Sequence, residues 1–202
     1  MYKNNYPHKR YRITLDFLKT HIDTNEEILD LGVSNPFSEM MTENNYKVSN
    51  THGEDIDVDF KTIKNSTADV VTAFEIFEHL IAPFNALREI KADKLIASVP
   101  LKLWFSNAYR NPNDKRDRHY HEFEDWQFDW LLEKSGWEII SRKKWTNPAK
   151  KIGLRPILRL FTPRYYIVYA KRKTEKKTWT EKRANKEETY STEFENYNFK
   201  LK

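Results

Sequence analysis

The period of the apolar pattern changes along the chain. Near the start, apolar residues recur at helical spacing: Tyr11, Leu15, Leu18 and Ile22. This spacing predicts an amphipathic helix over residues 8–21. Residues 27–32 carry a compact apolar run, which is typical of a parallel strand covered on both faces. Gly32 ends this run and predicts a tight turn, and Pro36 suits the first turn of a helix over residues 36–44.

Beyond residue 44, short apolar runs alternate with helical patterns. Strands are predicted at residues 46–50, within 53–60, and at 69–74, 95–100, 137–140 and 165–170. Helices are predicted at residues 75–91, 123–134 and within 148–161. This alternation predicts an α/β fold, a Rossmann-like three-layer sandwich with a mostly parallel sheet. The last two elements are both strands, which predicts an antiparallel hairpin at one edge of the sheet, so that the last strand is antiparallel.

A long polar and aromatic loop is predicted between residues 101 and 121. Loops of this length in a compact domain are often lids or binding loops. In the helix that follows, apolar residues share one face, with Phe128 off that face: Phe123, Trp126, Trp130 and Leu131. We expect Trp104, Trp126, Trp130 and Trp137 to pack in the core or under a lid rather than to form a substrate cage.

The charge is unevenly spread along the 202 residues. The net charge is +5, but residues 171–202 hold ten Lys/Arg and six Glu. Residues 1–170 hold the other 25 basic and 24 acidic residues, so the composition does not predict a nucleic-acid-binding body. We expect an N-terminal helix region at 1–24, a main domain at 25–172 and a flexible charged tail at 173–202.

Two absences narrow the function class. The sequence has no cysteine, which excludes disulfides, thiolate zinc sites and a cysteine nucleophile. No window approaches 18 consecutive apolar residues, and the first residues lack the apolar core of a signal peptide. We therefore expect a cytoplasmic location and no membrane-spanning helix, and no metal site is predicted.

Four stretches, in order along the chain, resemble the class I S-adenosylmethionine-dependent methyltransferases. They are the first motif at 28–32, the fourth strand with its trailing Glu78-His79-Leu80 at 69–80, the fifth strand at 95–100, and the sixth-strand region at 121–123 and 136–140. The resemblance covers residues 25–172. It implies a Rossmann-like fold and S-adenosyl-L-methionine as the cofactor.

The resemblance also implies a cofactor site beyond the carboxyl ends of the strands, where ligands bind in doubly wound sheets. The implied cofactor-binding residues are Asp30, Gly32, Ser34, Asn35, Asp55, Asp57, Phe74 and Glu75. Among them Asp55 would bind the ribose, and Asp57 or Asp59 would lie beside the adenine. For Asp30, the alternative is a brace for the following turn.

Methyl transfer to oxygen needs a general base, and histidine is the usual base near neutral pH. The candidates for catalysis are His79, His119 and His121. We expect a small-molecule, saccharide or lipid-linked acceptor. An oxygen acceptor is favoured because the patterns after the fourth and fifth strands resemble branches of the family that act on hydroxyl groups.

Alternative functions stay open at this point. Ser34 and Pro36 stand where the family has further glycines, which favours a non-catalytic binding protein with a degenerate methyltransferase fold. The basic tail favours a nucleic-acid methyltransferase, although the Asn-Pro-Pro-aromatic motif of base amino-methylation is missing, so nucleic acid is not the expected partner. Residues 142–164 hold eight Lys/Arg and no acid. They predict peripheral contact with an anionic membrane, or a helix packed on the sheet with its bases in water.

Overall fold

The computed structural model describes residues 7–115, 117–148 and 153–173. The helices are α1 (His8–His21), α2 (Pro36–Glu43), α3 (Lys61–Asn65), α4 (Pro83–Glu89), α5 (Asp125–Lys134) and α6 (Leu154–Phe161). The strands are β1 (Glu27–Asp30), β2 (Lys47–Asn50), β3 (Val70–Phe74), β4 (Lys94–Pro100), β5 (Trp137–Thr146) and β6 (Pro163–Arg172). The tail predicted at 173–202 lies outside the described residues, apart from Lys173.

These strands form one sheet in the order β2-β1-β3-β4-β6-β5. Strands β1 to β4 run parallel, and β6 runs antiparallel to both β4 and β5. The carboxyl ends of β1 to β5 and the amino end of β6 therefore share one edge, which we call the carboxyl edge. Since β2 and β3 lie on opposite sides of β1, the chain reverses its direction across the sheet there, as at a ligand-binding switch point.

Helices cover both faces of this sheet. Leu18 of α1 and Met41 of α2 pack with Ile28 of β1 on one face. On the other face, Leu87 of α4 and Phe128 of α5 join a second cluster with the sheet residues that point away from α1. Buried strands covered on both faces account for the apolar runs in the sequence. The predicted three-layer α/β fold with an antiparallel last strand is confirmed.

The strand predicted within residues 53–60 is absent, and a turn occupies this position. The carbonyl oxygen of Asp55 accepts hydrogen bonds from the N–H groups of Val58 and Asp59, at 3.0 and 2.8 Å. The side chains of Asp55 and Asp59 accept further backbone N–H groups two residues along the chain, from Asp57 and Lys61. Aspartate bonds its neighbouring backbone readily and so favours turns, which explains why an alternating acidic pattern gave no strand.

The helix predicted at residues 75–91 is also interrupted. Glu75 has a φ of +58°, in the left-handed region that a non-glycine residue rarely occupies. A 3-10 turn follows at Phe77–His79, and α4 begins only at Pro83. Proline fits the first turn of a helix but not its interior. The residues directly after β3 therefore form an irregular stretch along the carboxyl edge.

The prediction that Trp126 and Trp130 lie on the buried face of α5 is wrong. Phe128 and Leu132 are fully buried, whereas Trp126 and Trp130 are 44% and 64% exposed. Trp104 is 73% exposed, so the expectation of core or lid packing holds only for Trp137, whose ring lies under the guanidinium of Arg172 at 3.9 Å.

Candidate functional site

The turn after β1 lies at the centre of the carboxyl edge. Gly32 has a φ of +109°, which favours glycine. Its N–H donates to the hydroxyl of Thr51 at 2.8 Å, and its carbonyl accepts from the side-chain amide of Asn50 at 3.2 Å. A Cβ atom at Gly32 would lie 3.4 Å from Cδ1 of Ile76. The turn is thus held by the end of β2 and closely approached by the chain after β3.

Asp30 lies inside the sheet beside this turn. It is 2% exposed, and its carboxylate accepts hydrogen bonds from the hydroxyl of Thr72 at 2.6 Å and the amide of Asn50 at 3.2 Å. Burial raises the pKa of Asp30 to about 7, although these hydrogen bonds act in the opposite direction. Asp30 therefore ties together the ends of β1, β2 and β3, as the brace alternative supposes.

Ser34 and Asn35 have different surroundings. Ser34 is exposed on the turn. Asn35 caps α2, because its side-chain oxygen accepts the N–H groups of Phe37 at 2.9 Å and Ser38 at 3.2 Å. In return, the hydroxyl of Ser38 accepts the N–H of Asn35 at 2.8 Å. The first donors of α2 are thus satisfied by the chain itself.

The carboxylates of the acidic loop after β2 differ in their exposure and in their hydrogen bonds. Asp55 is exposed at a turn. Both oxygens of Asp57 accept backbone N–H groups, from Ile81 and Ala82, at 2.8 Å, so Asp57 fastens this loop to the chain after β3. Glu54, which the sequence reasoning missed, accepts the N–H of His52 at 2.6 Å, and its buried Oε1 has no partner among the described residues.

Phe74 is the last residue of β3, and Glu75 follows it at the carboxyl edge. The Phe74 ring meets the Phe37 ring edge-on, with centroids 5.0 Å apart. The carboxylate of Glu75 accepts the hydroxyl of Ser98 at 2.8 Å and lies 3.4 Å from a guanidinium nitrogen of Arg10. Burial raises the pKa of Glu75, and the charge of Arg10 opposes that rise. Glu75 is thus a carboxylate with little water around it, held between β4 and α1.

Three further side chains converge next to Glu75, and we call Glu78, His79 and His119 the Glu78 cluster. One nitrogen or oxygen atom of each lies within 4.8 Å of the others. Glu78 is 1% exposed, and its Oε2 has no hydrogen-bond partner within the described chain. Burial and the neighbouring Glu75 raise the pKa of Glu78 well above its usual range.

The predicted catalytic histidines are only partly brought together. The rings of His79 and His119 meet edge-on, with centroids 4.8 Å apart. Burial lowers the pKa of His119, and the nearby His79 adds to this shift. His121 lies apart from the pair, since its Nε2 is 3.2 Å from the carbonyl oxygen of Ile81 and its ring stacks on Phe123.

The long loop surrounds a cavity of about 370 Å³ beside His119. The lining includes Tyr109, Arg110 and Arg118. Two backbone bonds fasten the loop, because the N–H groups of Tyr120 and His121 donate to the carbonyl of Glu78 at 2.8 and 3.2 Å. This volume suits part of a small ligand. A larger groove, of about 740 Å³, runs along the free edge of β2, away from the Glu78 cluster.

Helix α6 connects β5 to β6 at the carboxyl edge, and none of its residues is buried. Leu154, Ile157 and Phe161 are 72%, 53% and 79% exposed. The alternative in which this segment packs its apolar face on the sheet is therefore wrong. No helix within the described ranges is long and apolar enough to cross a bilayer.

Several residues of this site were missed by sequence reasoning. Asn50 gave a weak signal as the last residue of a predicted strand, and Glu78 stood inside the Glu-His-Leu motif without being assigned a role. Arg10 and Ser98 gave no signal in the sequence, because each contacts Glu75 from a distant part of the chain.

No protein-family model matches the sequence, and no curated protein sequence is similar to it. Solved structures are similar in fold. An S-adenosylmethionine dependent methyltransferase from Mesorhizobium loti has a TM-score of 0.53 at 13% identity, over 78% of this chain and 96% of its own. A SAM-dependent methyltransferase from Methanosarcina mazei has a TM-score of 0.53 at 11% identity, over 85% and 99%. The [4+2]-cyclase SpnF has a TM-score of 0.54 at 14% identity, over 86% and 85%.

The chain therefore has the fold of class I S-adenosylmethionine-dependent methyltransferases, and the resemblance of its motifs is confirmed at the level of the fold. Because a cyclase has the same fold, the fold alone does not fix the reaction. The side chains at the carboxyl edge therefore decide which reaction is possible.

Proposed function

We propose that this protein binds S-adenosyl-L-methionine at the carboxyl edge and transfers its methyl group to a hydroxyl oxygen of an acceptor. The observation that carries the proposal is the position of the Glu78 cluster. It follows Ile76, which lies against the Gly32 turn, so a pair of imidazoles stands beside the switch point of a methyltransferase fold. This position would bring the proton acceptors close to a cofactor bound at the Gly32 turn.

The residues present fit the cofactor. Glu75 and Glu78 are carboxylates that burial disfavours in their charged form, so a positive sulfur nearby would compensate for part of that cost. Gly32 lets the backbone approach closely, since it carries no Cβ. For the ribose hydroxyls we favour Glu54 over Asp55, because Glu54 is half-buried in the loop after β2, whereas Asp55 is exposed. Asp30 and Asn35 stabilise the turn through hydrogen bonds within the protein.

When bound, the cofactor supplies a methyl group on a positive sulfur; the carbon–sulfur bond breaks with its electron pair kept by sulfur, and a carbon–oxygen bond forms. The acceptor proton has to leave the hydroxyl. His119, which borders the loop cavity, is the proposed recipient, and His79 orients it through their ring contact. His121 faces Ile81 and is the weaker candidate. Positioning and proton removal together account for the expected rate enhancement.

The acceptor is proposed to be a saccharide or lipid-linked molecule with negative charge. Arg110 and Arg118 line the cavity beside His119 and suit phosphate or carboxylate groups. The exposed apolar side chains of α6 lie at the same edge and suit contact with the lipid end of such an acceptor, or with an anionic membrane that presents it. Co-sedimentation with anionic vesicles at low salt tests the membrane part, and an unbound protein contradicts it.

Titration of the protein with S-adenosylhomocysteine tests the cofactor proposal. Gly32→Ala places a Cβ near Ile76 and strains a backbone with positive φ, so we expect at least a tenfold loss of affinity. Gly136→Ala is the matched control, since Gly136 also has a positive φ, of +96°, but lies just before β5 at the opposite end of the sheet. An equal loss in both variants would show a general folding defect.

A non-catalytic binding protein is the second candidate. It is favoured by the turn itself, where Ser34 and Pro36 stand and Asn35 uses its side chain to cap α2. A nucleic-acid methyltransferase has less support, because Arg142 and Lys144 on β5 already pair with Asp129 and Asp125. Titration with S-adenosylhomocysteine separates the non-catalytic binding protein from a methyltransferase. Salt-dependent binding of RNA would favour the nucleic-acid methyltransferase.

A further inference from the structure

The Glu78 cluster has the composition of a metal centre as well as that of an acid–base site. Two imidazoles and one carboxylate form a common ligand set for divalent transition metals, and this set leaves coordination positions open. We propose that Glu78, His79 and His119 bind one divalent transition-metal ion, which holds the acceptor hydroxyl for methylation. The binding of the ion stands on geometry alone, while its part in methylation rests on the function proposed above.

The distances suit a single ion. Ligand atoms that share an ion with bonds of about 2.1 Å lie roughly 3 to 4 Å apart. Oε1 of Glu78 and Nε2 of His79 are already 3.7 Å apart, and all three ligand atoms lie within 4.8 Å of one another. Modest rotation of His119, which is half-buried at the edge of the loop cavity, completes the set.

The orientation of His79 is fixed by a hydrogen bond outside the cluster. Its Nδ1 lies 3.0 Å from the carbonyl oxygen of Arg118. A carbonyl oxygen can only accept, so Nδ1 carries a proton, and in the neutral form of the ring the lone pair is on Nε2, the atom that faces Glu78. Metal-binding histidines are commonly held in this way, with the second ring nitrogen donating to a backbone carbonyl.

Glu78 supplies an independent observation. It is 1% exposed, and its Oε2 has no hydrogen-bond partner within the described chain. A buried carboxylate without partners is costly. Arg10, a nearby cation, forms an ion pair with Glu75. With Glu78 bound through both carboxylate oxygens, a cation between it and the two histidines would give Oε2 a partner and offset the charge of both glutamates.

The ion would change how the acceptor loses its proton. A hydroxyl bound to a divalent metal ionises far more readily than a free one. His79 and His119 would then act through the ion, and the proton would pass from the bound hydroxyl to solvent or to His121. The products of methyl transfer stay the same: the methylated oxygen, S-adenosylhomocysteine and one proton.

Metal binding can be measured without substrate or cofactor. Untagged protein, stripped with a chelator, is titrated by calorimetry with Mn²⁺, Co²⁺, Zn²⁺ and Mg²⁺ separately, and the visible spectrum of the Co²⁺ complex reports imidazole ligands. We expect about one equivalent of Co²⁺ or Zn²⁺ to bind, with Mg²⁺ weaker. Glu78→Gln and His119→Ala should each weaken binding at least tenfold, while circular dichroism shows that both variants stay folded.

His121→Ala is the matched control, because it removes a neighbouring imidazole that lies outside the cluster. Its affinity for the ion should equal that of the wild type. Wild-type protein that binds no transition metal, or that binds it no better than His119→Ala, overturns the inference. If S-adenosylhomocysteine binds but metal does not, only this inference fails; if metal binds but S-adenosylhomocysteine does not, the proposed function fails.

Discussion

Asp30→Asn replaces a buried carboxylate by a group of nearly the same shape that cannot ionise. In the wild type, burial between Thr72 and Asn50 raises the pKa of Asp30 from 3.8 to about 7. The folded state therefore holds this proton more tightly than the unfolded chain does. Its contribution to stability is fully present below about pH 4 and is lost as the pH rises through about 7.

The size of the effect follows from the two pKa values. One pKa unit is worth about 1.4 kcal/mol, so a rise from 3.8 to about 7 corresponds to about 4 kcal/mol. Relative to the Asp30→Asn variant, the free energy of unfolding of the wild type should fall by up to about 4 kcal/mol between about pH 4 and pH 8. At about pH 8 we expect the variant to be the more stable protein.

Urea unfolding, followed by tryptophan fluorescence at several pH values from about 5 to 8, measures this difference. Asp16→Asn is the control, since Asp16 is exposed on α1, and its difference from the wild type should stay within about 0.5 kcal/mol at each pH. The reasoning is refuted if the stability difference between the wild type and Asp30→Asn does not change with pH, or if it changes in the opposite direction.

Three further predictions separate the core from the carboxyl edge. Trp137→Ala should cost about 3 to 5 kcal/mol of unfolding free energy because the ring is fully buried, whereas Trp130→Ala, 64% exposed, should cost less than about 1 kcal/mol in the same urea assay. Phe161→Glu should abolish co-sedimentation with anionic vesicles without lowering the melting temperature, since Phe161 is 79% exposed; unchanged sedimentation would exclude α6 as the contact. His119→Ala should lower methyl transfer to hydroxylated saccharides at least a hundredfold with unchanged cofactor affinity, and undiminished turnover would remove His119 from the reaction.

The sheet could be predicted because buried parallel strands leave a strong signal. Runs such as residues 69–74 and 95–100 are apolar almost throughout, and this pattern has few explanations other than a strand covered on both faces. The order of these runs, with helical patterns between them, then restricts the topology.

The errors arose where side chains bond locally or where one face of a helix is ambiguous. The acidic pattern at 53–60 has the period of a strand, but Asp55 and Asp59 bond backbone N–H groups two residues further along the chain. On α5, Trp126 and Trp130 are the largest apolar residues, yet the buried face contains Phe128 and Leu132. Size alone does not show which of two overlapping apolar stripes meets the sheet.

The site was predicted less completely than the fold. The sequence placed Gly32, Glu75 and His79 at the carboxyl edge because motif residues follow predicted strands. It did not show that His119 rather than His121 meets His79, because the loop that carries both is fixed by backbone hydrogen bonds to Glu78. Contacts between distant segments, such as that of Arg10 with Glu75, have no local pattern to reveal them.

Calorimetric titration of the wild-type chain with S-adenosylhomocysteine decides whether this protein binds the cofactor product. We expect saturable binding of one molecule per chain, in the micromolar to millimolar range usual for enzyme ligands, that Gly32→Ala weakens and Gly136→Ala does not. No heat of binding and no thermal stabilisation at about 1 mM ligand would contradict it, and the methyltransferase fold of this protein would then serve a different purpose.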